Sequence, residues 1–323
     1  MRTARLLVVA LGATIASITQ AQTAAPGAFP SKPIRLIVPF PPPGPTDLVA
    51  RAVAQKMSVP LAQSVLVENR PGATGAIAAE YVAKAPPDGY TLLLGTGSTH
   101  AVAPAVNPKL PYDNIRDFAP IVLLTTSPNV LIVHPTLPAK NVSELIALLK
   151  ANPGKYNFAT TGIGGLPHLA AEMFMQMSGT RMTHVPFTGS GPALNAIMAG
   201  SVEVSIDSIT ASPQVHAGRV RALGITGPAR IAALPDTPPI AEVLPGFSVI
   251  TWVGLFAPAG TPSPILDRLA QAGKDSLQPD VTQKLHELGM FASGLTRDAF
   301  ATFLREDHER WRSVARNLAV PLN

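Results

Sequence analysis

Short β-branched runs alternate with stretches of helical apolar spacing along most of this 323-residue chain. Residues 34–40 form one such run, and residues 46–57 follow it with apolar side chains on one helical face. This alternation predicts an α/β fold. The 34 prolines argue against a helical bundle, because proline disrupts helix interiors. The C-terminal part switches to helix, which we expect over residues 265–277, 281–288 and 297–318.

Two long apolar segments interrupt the alternation, at residues 121–133 and 248–257. Each is too long and too β-branched for an ordinary strand of a small lobe, so we interpret them as two crossings between lobes. Chain length also favours two cores, since single cores stop growing near ~250–300 residues. We expect one lobe from residues 22–125 plus 249–323 and a second from residues 126–248. The C-terminal helices then dock on the first lobe.

The N-terminus has the pattern of a secretory signal peptide. Arg2 and Arg5 precede an uncharged apolar stretch over residues 6–19, and a small-x-small cleavage signal ends at Ala21. We therefore assign residues 1–21 to a leader that is cleaved near Ala21, and expect export to the periplasm of a bacterium with two membranes. A buried N-terminal strand or helix is the alternative.

Composition excludes several classes of function. The absence of cysteine rules out disulfides, Cys-ligated zinc, iron–sulfur clusters and thiol catalysis. Without Arg2 and Arg5 the balance is 23 basic against 20 acidic residues, or +3, and no two Lys or Arg residues are adjacent. Nucleic-acid binding usually shows clustered basic residues, so we expect none. A slight positive charge is consistent with a small anionic ligand.

Local enzyme and cofactor motifs are also missing. The sequence has no H-E-x-x-H, no G-x-S-x-G and no Walker A loop. The run that begins at Gly162 fails the dinucleotide fingerprint, because Pro167 stands where the third glycine belongs. We predict no catalytic residues, no metal and no cofactor. A Ser–His–Asp arrangement assembled in space stays open as an exported hydrolase.

Four predicted junctions between a strand and a helix are rich in Gly, Ser, Thr and Pro. They lie at residues 39–47, 95–100, 160–168 and 186–192. Ligands of open α/β sheets sit at the carboxyl ends of strands, and backbone amides at helix N-termini favour carboxylates or phosphates. Together the junctions predict a cleft that closes on a small anion.

At these residues the chain resembles the Bug-type extracytoplasmic solute receptors of tripartite tricarboxylate transporters. The motifs that carry the resemblance follow in order along the mature chain: PSKPIRLIVPF from Pro30, VENRPGA from Val67, PDGYTLL from Pro87, LPYD from Leu110, HVPF from His184, RAL from Arg221 and LFAPAGTP from Leu255. The resemblance implies a two-lobed periplasmic-binding-protein fold, type II-like, with two crossings. It also implies a monomeric receptor that binds a small carboxylate and delivers it to membrane transporter subunits.

The resemblance also assigns ligand-binding roles. It implies that residues 40–47 and 188–190 hold one carboxylate, partly through water, and that residues 161–168 and 207–208 meet the far end of the ligand. With the second junction, the predicted ligand-binding residues are Phe40, Pro43, Gly44, Thr46, Asp47, Ser98, Thr99, Thr161, Gly162, His168, Thr188, Gly189, Ser190, Asp207 and Ser208.

Several of these residues have a structural alternative. Thr46 or Asp47 can cap the helix that begins there, and Asp207 can cap the helix near Thr210. His168 can be a packed or solvated side chain, and Phe40 can be partly core. A sensor that presents its loaded state to a membrane histidine kinase is the alternative to a transport receptor.

The first junction departs from the family pattern, because Pro43 stands where a glycine is usual. Proline removes an amide donor and fixes φ near −65°. We expect Pro43→Gly to change ligand affinity more than fold stability. Calorimetry and thermal unfolding of the two proteins test this, and unchanged affinity contradicts it.

Overall fold

The computed structural model describes residues 29–318, with the side chains of residues 29–316. The predicted signal peptide lies outside this range. No helix within it is both long enough and apolar enough to cross a membrane. The strands are β1 (Ile34–Val38), β2 (Val65–Asn69), β3 (Thr91–Thr96), β4 (Phe118–Val133), β5 (Asn157–Thr160), β6 (Thr183–Pro186), β7 (Val204–Ser208), β8 (Arg221–Ile225), β9 (Ile250–Pro258) and β10 (Phe291–Thr296).

Helices connect most of these strands, which gives the α/β alternation predicted from the sequence. Short 3-10 turns and one π-helical turn, Ser98–Val102, complete the connections. The α-helices are α1 (Pro45–Leu61), α2 (Ala76–Ala83), α3 (Ala103–Val106), α4 (Val142–Ala151), α5 (Leu166–Ser178), α6 (Ser190–Met198), α7 (Ser212–His216), α8 (Ser263–Asp275), α9 (Pro279–Glu287) and α10 (Arg297–Leu318).

The strands form two parallel groups that are joined by long antiparallel strands. The order across the sheet is β2-β1-β3-β9-β4-β7-β5-β6, and β8 and β10 also pair with β4. β1 is parallel to β2 and β3, and β5 is parallel to β6 and β7. β4 and β9 run antiparallel to their neighbours. Each parallel group with its helices makes one lobe.

β4 carries the chain from one lobe to the other. Its first part pairs with β10 up to Thr126 and with β9 up to Pro128, and its last part, from Asn129, pairs with β7 and β8. β9 returns beside it, with Ile250 opposite Pro128. These are the two crossings that the apolar segments predicted. The lobe boundaries at residues 125/126 and 248/249 stay a prediction.

The apolar runs form strands because helices cover both faces of each parallel group. Ile34, Leu36 and Val38 of β1 pack in one core layer, and Ile37 packs in the other. All four side chains are fully buried. A parallel strand covered on both faces needs such a continuous apolar run, whereas a half-exposed strand alternates.

The last helix docks on the first lobe through aromatic side chains, as predicted. The Phe300 ring of α10 lies 5.1 Å from that of Phe256 and 5.8 Å from that of Trp252. Trp252 Nε1 donates a 2.7 Å hydrogen bond to Oδ2 of Asp307. Gly254 of β9 leaves the space that the Phe300 ring occupies, because a Cβ there would overlap the ring.

We expect Gly254→Ala to destabilise the protein by about 1–3 kcal/mol, since the added methyl group overpacks the α10 interface. Urea unfolding measures the loss. The matched control is the double variant Gly254→Ala/Phe300→Leu, in which the smaller side chain frees space. The two changes should be less than additive in the double-mutant cycle, and strict additivity contradicts this account.

Candidate functional site

A cavity of about 80 Å³ lies where the two lobes meet. Its walls come from segments at the carboxyl ends of β1, β3, β5, β6 and β7, from β4 and β9 near the crossing, and from the residue before β10. None of the lining side chains carries a formal charge at neutral pH. The lining residues are Phe40, Pro41, Gly44, Pro45, Thr46, Thr96, Ser98, Ser127, Asn129, Thr161, Leu166, Pro167, Ser190, Ser208, Thr251, Val253 and Met290.

Three helices begin at this cavity with a glycine as the N-cap residue. The N-caps of α1, α5 and α6 are Gly44, Gly165 and Gly189, and none of these helix starts has a side-chain capping hydrogen bond. The first four N–H groups of a helix have no partner within it. Backbone donors and the positive ends of three helices therefore converge on an uncharged cavity, which suits an anion.

The two lobes touch directly beside the cavity. The Thr74 hydroxyl donates a 2.8 Å hydrogen bond to the carbonyl of Ile163, and the Ser98 hydroxyl oxygen accepts a 3.1 Å bond from the N–H of Leu166. Gly162 has a φ of 139°, and a Cβ there would lie 2.6 Å from the Thr74 hydroxyl oxygen. Gly162 is therefore required both by its backbone conformation and by the approach of the other lobe.

The first junction contributes three of its five predicted residues to the cavity. Phe40, Gly44 and Thr46 line it, whereas Pro43 is exposed and does not. The carbonyl of Pro43 instead faces Gly191 of the other lobe, 3.6 Å from where a Cβ would stand. Proline at residues 43 and 45 thus shapes the rim of the cavity and its junction with the second lobe.

Asp47 points away from the cavity into an ion pair. Its carboxylate accepts bonds of 2.9 and 3.0 Å from the Arg51 guanidinium and one of 3.0 Å from Asn69 Nδ2. Burial raises the pKa of Asp47, but these bonds outweigh burial and hold it below its usual value. The predicted cap at Thr46 or Asp47 is wrong, because the helix begins one residue earlier and Gly44 is its N-cap.

The second and third junctions each place one predicted residue on the cavity wall and others behind it. Ser98 and Thr161 line the cavity. Thr99 is fully buried, and its hydroxyl accepts a 3.0 Å bond from the N–H of Thr96, which holds the π-helical turn in shape. Gly162 packs against Thr74, as described above.

His168 supports the third junction from behind. Its Nδ1 accepts a 3.1 Å bond from the N–H of Gly164, and its ring stacks on that of His184 at 4.0 Å. Burial lowers the pKa of His184 to about 4. His168 is thus placed as a packed side chain that orders the loop over residues 161–165.

The fourth junction and the end of β7 contribute Ser190 and Ser208. Thr188 and Gly189 do not line the cavity, and a Cβ on Gly189 would meet Pro41 at 3.1 Å. Asp207 lies next to Ser208, and its Oδ1 accepts a 2.6 Å bond from the Ser208 N–H. The alternative of Asp207 as a cap near Thr210 is wrong, since Ser208 Oγ accepts from the Thr210 N–H at 3.3 Å.

Sequence reasoning missed about half of the cavity wall. The residues missed on the two crossing strands are Ser127 and Asn129 of β4 and Thr251 and Val253 of β9. Their position in the segments predicted as crossings is the one sequence signal that could have identified them. Met290 also lines the cavity, directly before β10, and no sequence pattern marks it. Within residues 29–318 there is no cluster of three or more His, Asp or Glu side chains that could hold a metal ion.

We expect Asp47→Asn to lower the free energy of unfolding by about 1–2 kcal/mol at pH 7 and to affect ligand affinity less. Because folding depresses the pKa of Asp47, the ion pair stabilises above the unfolded-state pKa of about 3.9 and is lost as pH falls through the folded-state value. The difference between the proteins should therefore shrink in acid. Asp267→Asn, at the exposed pair with Arg297, is the control and should cost less; an equal or larger cost contradicts the assignment.

Comparison with known proteins agrees with this geometry. Residues 49–320 match the profile of the tripartite tricarboxylate transporter family receptor. Protein BugT of Bordetella pertussis is 34% identical over 326 residues, covering 100% of both chains. The structure of Rhodopseudomonas palustris Rpa4515 with adipate is 35% identical and has a TM-score of 0.87, covering 90% of this chain and 98% of that one.

A second solved structure is MatC from Rhodopseudomonas palustris with bound malate. It is 37% identical, with a TM-score of 0.84, and the match covers 89% of this chain and 100% of that one. The two-lobed periplasmic-binding-protein fold and the Bug-type resemblance read from the sequence are both confirmed. The chain belongs to the tripartite tricarboxylate transporter family of receptors, which are solute-binding proteins.

Proposed function

We propose that this protein is a periplasmic receptor that captures a small carboxylate in the cavity between its lobes and delivers it to transporter subunits in the membrane. The observation that carries the proposal is the convergence of three glycine-capped helix N-termini on a cavity without charged side chains. Backbone amides and hydroxyls can bind a carboxylate there without a lysine or arginine. Relatives whose structures contain adipate and malate support the same ligand class.

The side chains around the cavity support binding rather than hydrolysis. Ser98, Ser190 and Ser208 line it, yet no histidine does. The nearby His168 and His184 are engaged with Gly164 and Thr160. A Ser–His–Asp arrangement needs a histidine within hydrogen-bonding reach of the serine, and none of the lining serines is hydrogen-bonded to a histidine among the described residues. A receptor that works as a monomer, without turnover, is consistent with this arrangement.

Isothermal titration calorimetry tests the proposal with a panel of mono-, di- and tricarboxylates, amino acids and nicotinate. We expect saturable binding of at least one carboxylate, and no binder in the panel contradicts the proposal. Native mass spectrometry of freshly purified protein identifies a ligand that survives purification.

We also expect Thr46→Val to weaken binding about tenfold without loss of stability, since it removes a hydroxyl from the cavity wall at nearly constant volume. The matched control is Thr302→Val on the exposed surface of α10, which should bind like the wild type. Equal affinity of the two variants would place the carboxylate elsewhere.

A further inference from the structure

Asp207, the last but one residue of β7, has a buried carboxyl group in which only one of the two oxygens has a hydrogen-bond partner. Asp207 as a whole is only 2% exposed to solvent. Oδ1 accepts the 2.6 Å bond from the Ser208 N–H, whereas Oδ2 has no hydrogen-bond partner. Buried polar atoms in native proteins almost always have a partner, and one that lacks it calls for an explanation. The unpaired Oδ2 therefore indicates that this oxygen gains a bonding partner when a ligand binds.

The surroundings of Asp207 contain no cation to balance a negative charge. β4, β5 and α6, which pack against β7, carry no titratable side chains. α5 brings His168 and Glu172, whose Nε2 and Oε1 atoms lie 3.6 Å apart. Glu203 lies at the other end of the strand and accepts from Asn157. Burial consequently raises the pKa of Asp207 to about 6, although the Ser208 N–H and the Ser190 hydroxyl favour the charged form.

Asp207 also lies immediately behind the cavity wall. Ser208, the next residue, lines the cavity, and so does Ser190, the first residue of α6. The Ser190 hydroxyl is close enough to the Asp207 carboxyl to favour its charged form, yet Oδ2 has no partner with ordinary hydrogen-bond geometry. A carboxylate at the N-terminus of α6 would therefore share its surroundings with Asp207. Two carboxylates in one site cannot both stay ionised without a large penalty.

We propose that a carboxylate binds in this cavity together with one proton, which comes from solvent and is held on Oδ2 of Asp207. This inference rests on the proposed function. The bound acid stays ionised, and Asp207 becomes neutral, so the complex gains no second buried charge. A protonated Oδ2 is a donor and can give its hydrogen to Ser190 Oγ. The Ser190 hydroxyl proton is then free to point to the ligand, which makes Asp207 a positioning residue.

The test is calorimetry of malate, or of adipate if malate does not bind, in buffers of different ionisation enthalpy. At pH 7 we expect an uptake of about 0.9 proton per bound acid, because a group with a pKa of about 6 is then about nine-tenths ionised when free. Affinity should fall about tenfold from pH 7 to pH 8 and level off below about pH 6. A merely structural role of Asp207 moves neither the proton count nor the pH slope.

Two variants assign the proton. Asp207→Asn mimics the neutral acid and should bind with no proton uptake and with little pH dependence between about pH 6 and pH 8. Glu172→Gln removes the other nearby carboxyl group and should keep the wild-type uptake. Uptake that persists in Asp207→Asn, or that disappears in Glu172→Gln, overturns the assignment to Asp207.

The wild type alone also decides the matter if Asp207→Asn fails to fold. The ¹³C resonance of the Asp207 carboxyl group should move to its protonated position when the acid is added at pH 7. Saturable binding without proton uptake overturns this inference and leaves the proposed function standing. Absence of binding by every carboxylate of the panel at about pH 6, where Asp207 is half protonated, overturns the proposed function itself.

Discussion

The antiparallel pairing of β4 with β9 is the constraint on which the rest of the structure depends. β4 has 16 residues, about three times the length of an average strand, and it changes from β9 to β7 as its partner after Pro128. Each lobe has its own group of parallel strands, and the paired strands β4 and β9 connect the two groups. The carboxyl ends of β1, β3, β5 and β7 therefore open toward one cavity. Side chains of the crossing itself, Ser127 and Thr251 among them, form part of its wall.

With the strands arranged in this way, backbone N–H groups rather than charged side chains create the positive electrostatic potential at the cavity. A Ser, Thr, Asp or Asn at an N-cap would accept hydrogen bonds from the first-turn amides and so compete with a ligand. Glycine at residues 44, 165 and 189 cannot itself cap those amides, and of the three helices α5 has its first N–H, that of Leu166, bonded to Ser98 Oγ of the other lobe. Pro45 is the first residue of α1 and Pro167 the second of α5, where proline has a preset φ and loses no internal hydrogen bond. Such a site recognises an anionic group by the geometry of its hydrogen-bond donors. The uncharged wall can then accommodate different chemical groups on the rest of the ligand.

The sequence predicted the parts of this fold that depend on local pattern. The alternation of elements, the two crossings and the bounds of α10 follow from apolar periodicity and from segment length. β10 escaped notice because Phe291–Thr296 is half exposed, contains Gly294 and gains its stability from pairing with β4, more than 150 residues earlier. Asp47 was proposed as a ligand contact, although Arg51 stands four residues later at helical ion-pair spacing. Met290 enters the cavity only through tertiary folding, so no local pattern could mark it.

Direct contacts between the lobes determine how much a ligand has to contribute to closure. The Thr74–Ile163 and Leu166–Ser98 hydrogen bonds join the two lobes directly. A ligand shifts an equilibrium only by the difference between its affinities for the two states. Because these bonds stabilise the contact between the lobes, a small acid that touches a few amides and hydroxyls has to contribute less to closure. Asp207 opposes that gain while it is ionised, since its charge is buried next to Ser208 of the cavity wall. The neutral form of Asp207 removes the opposition, so the closed receptor is most stable when the anion and its proton are present together.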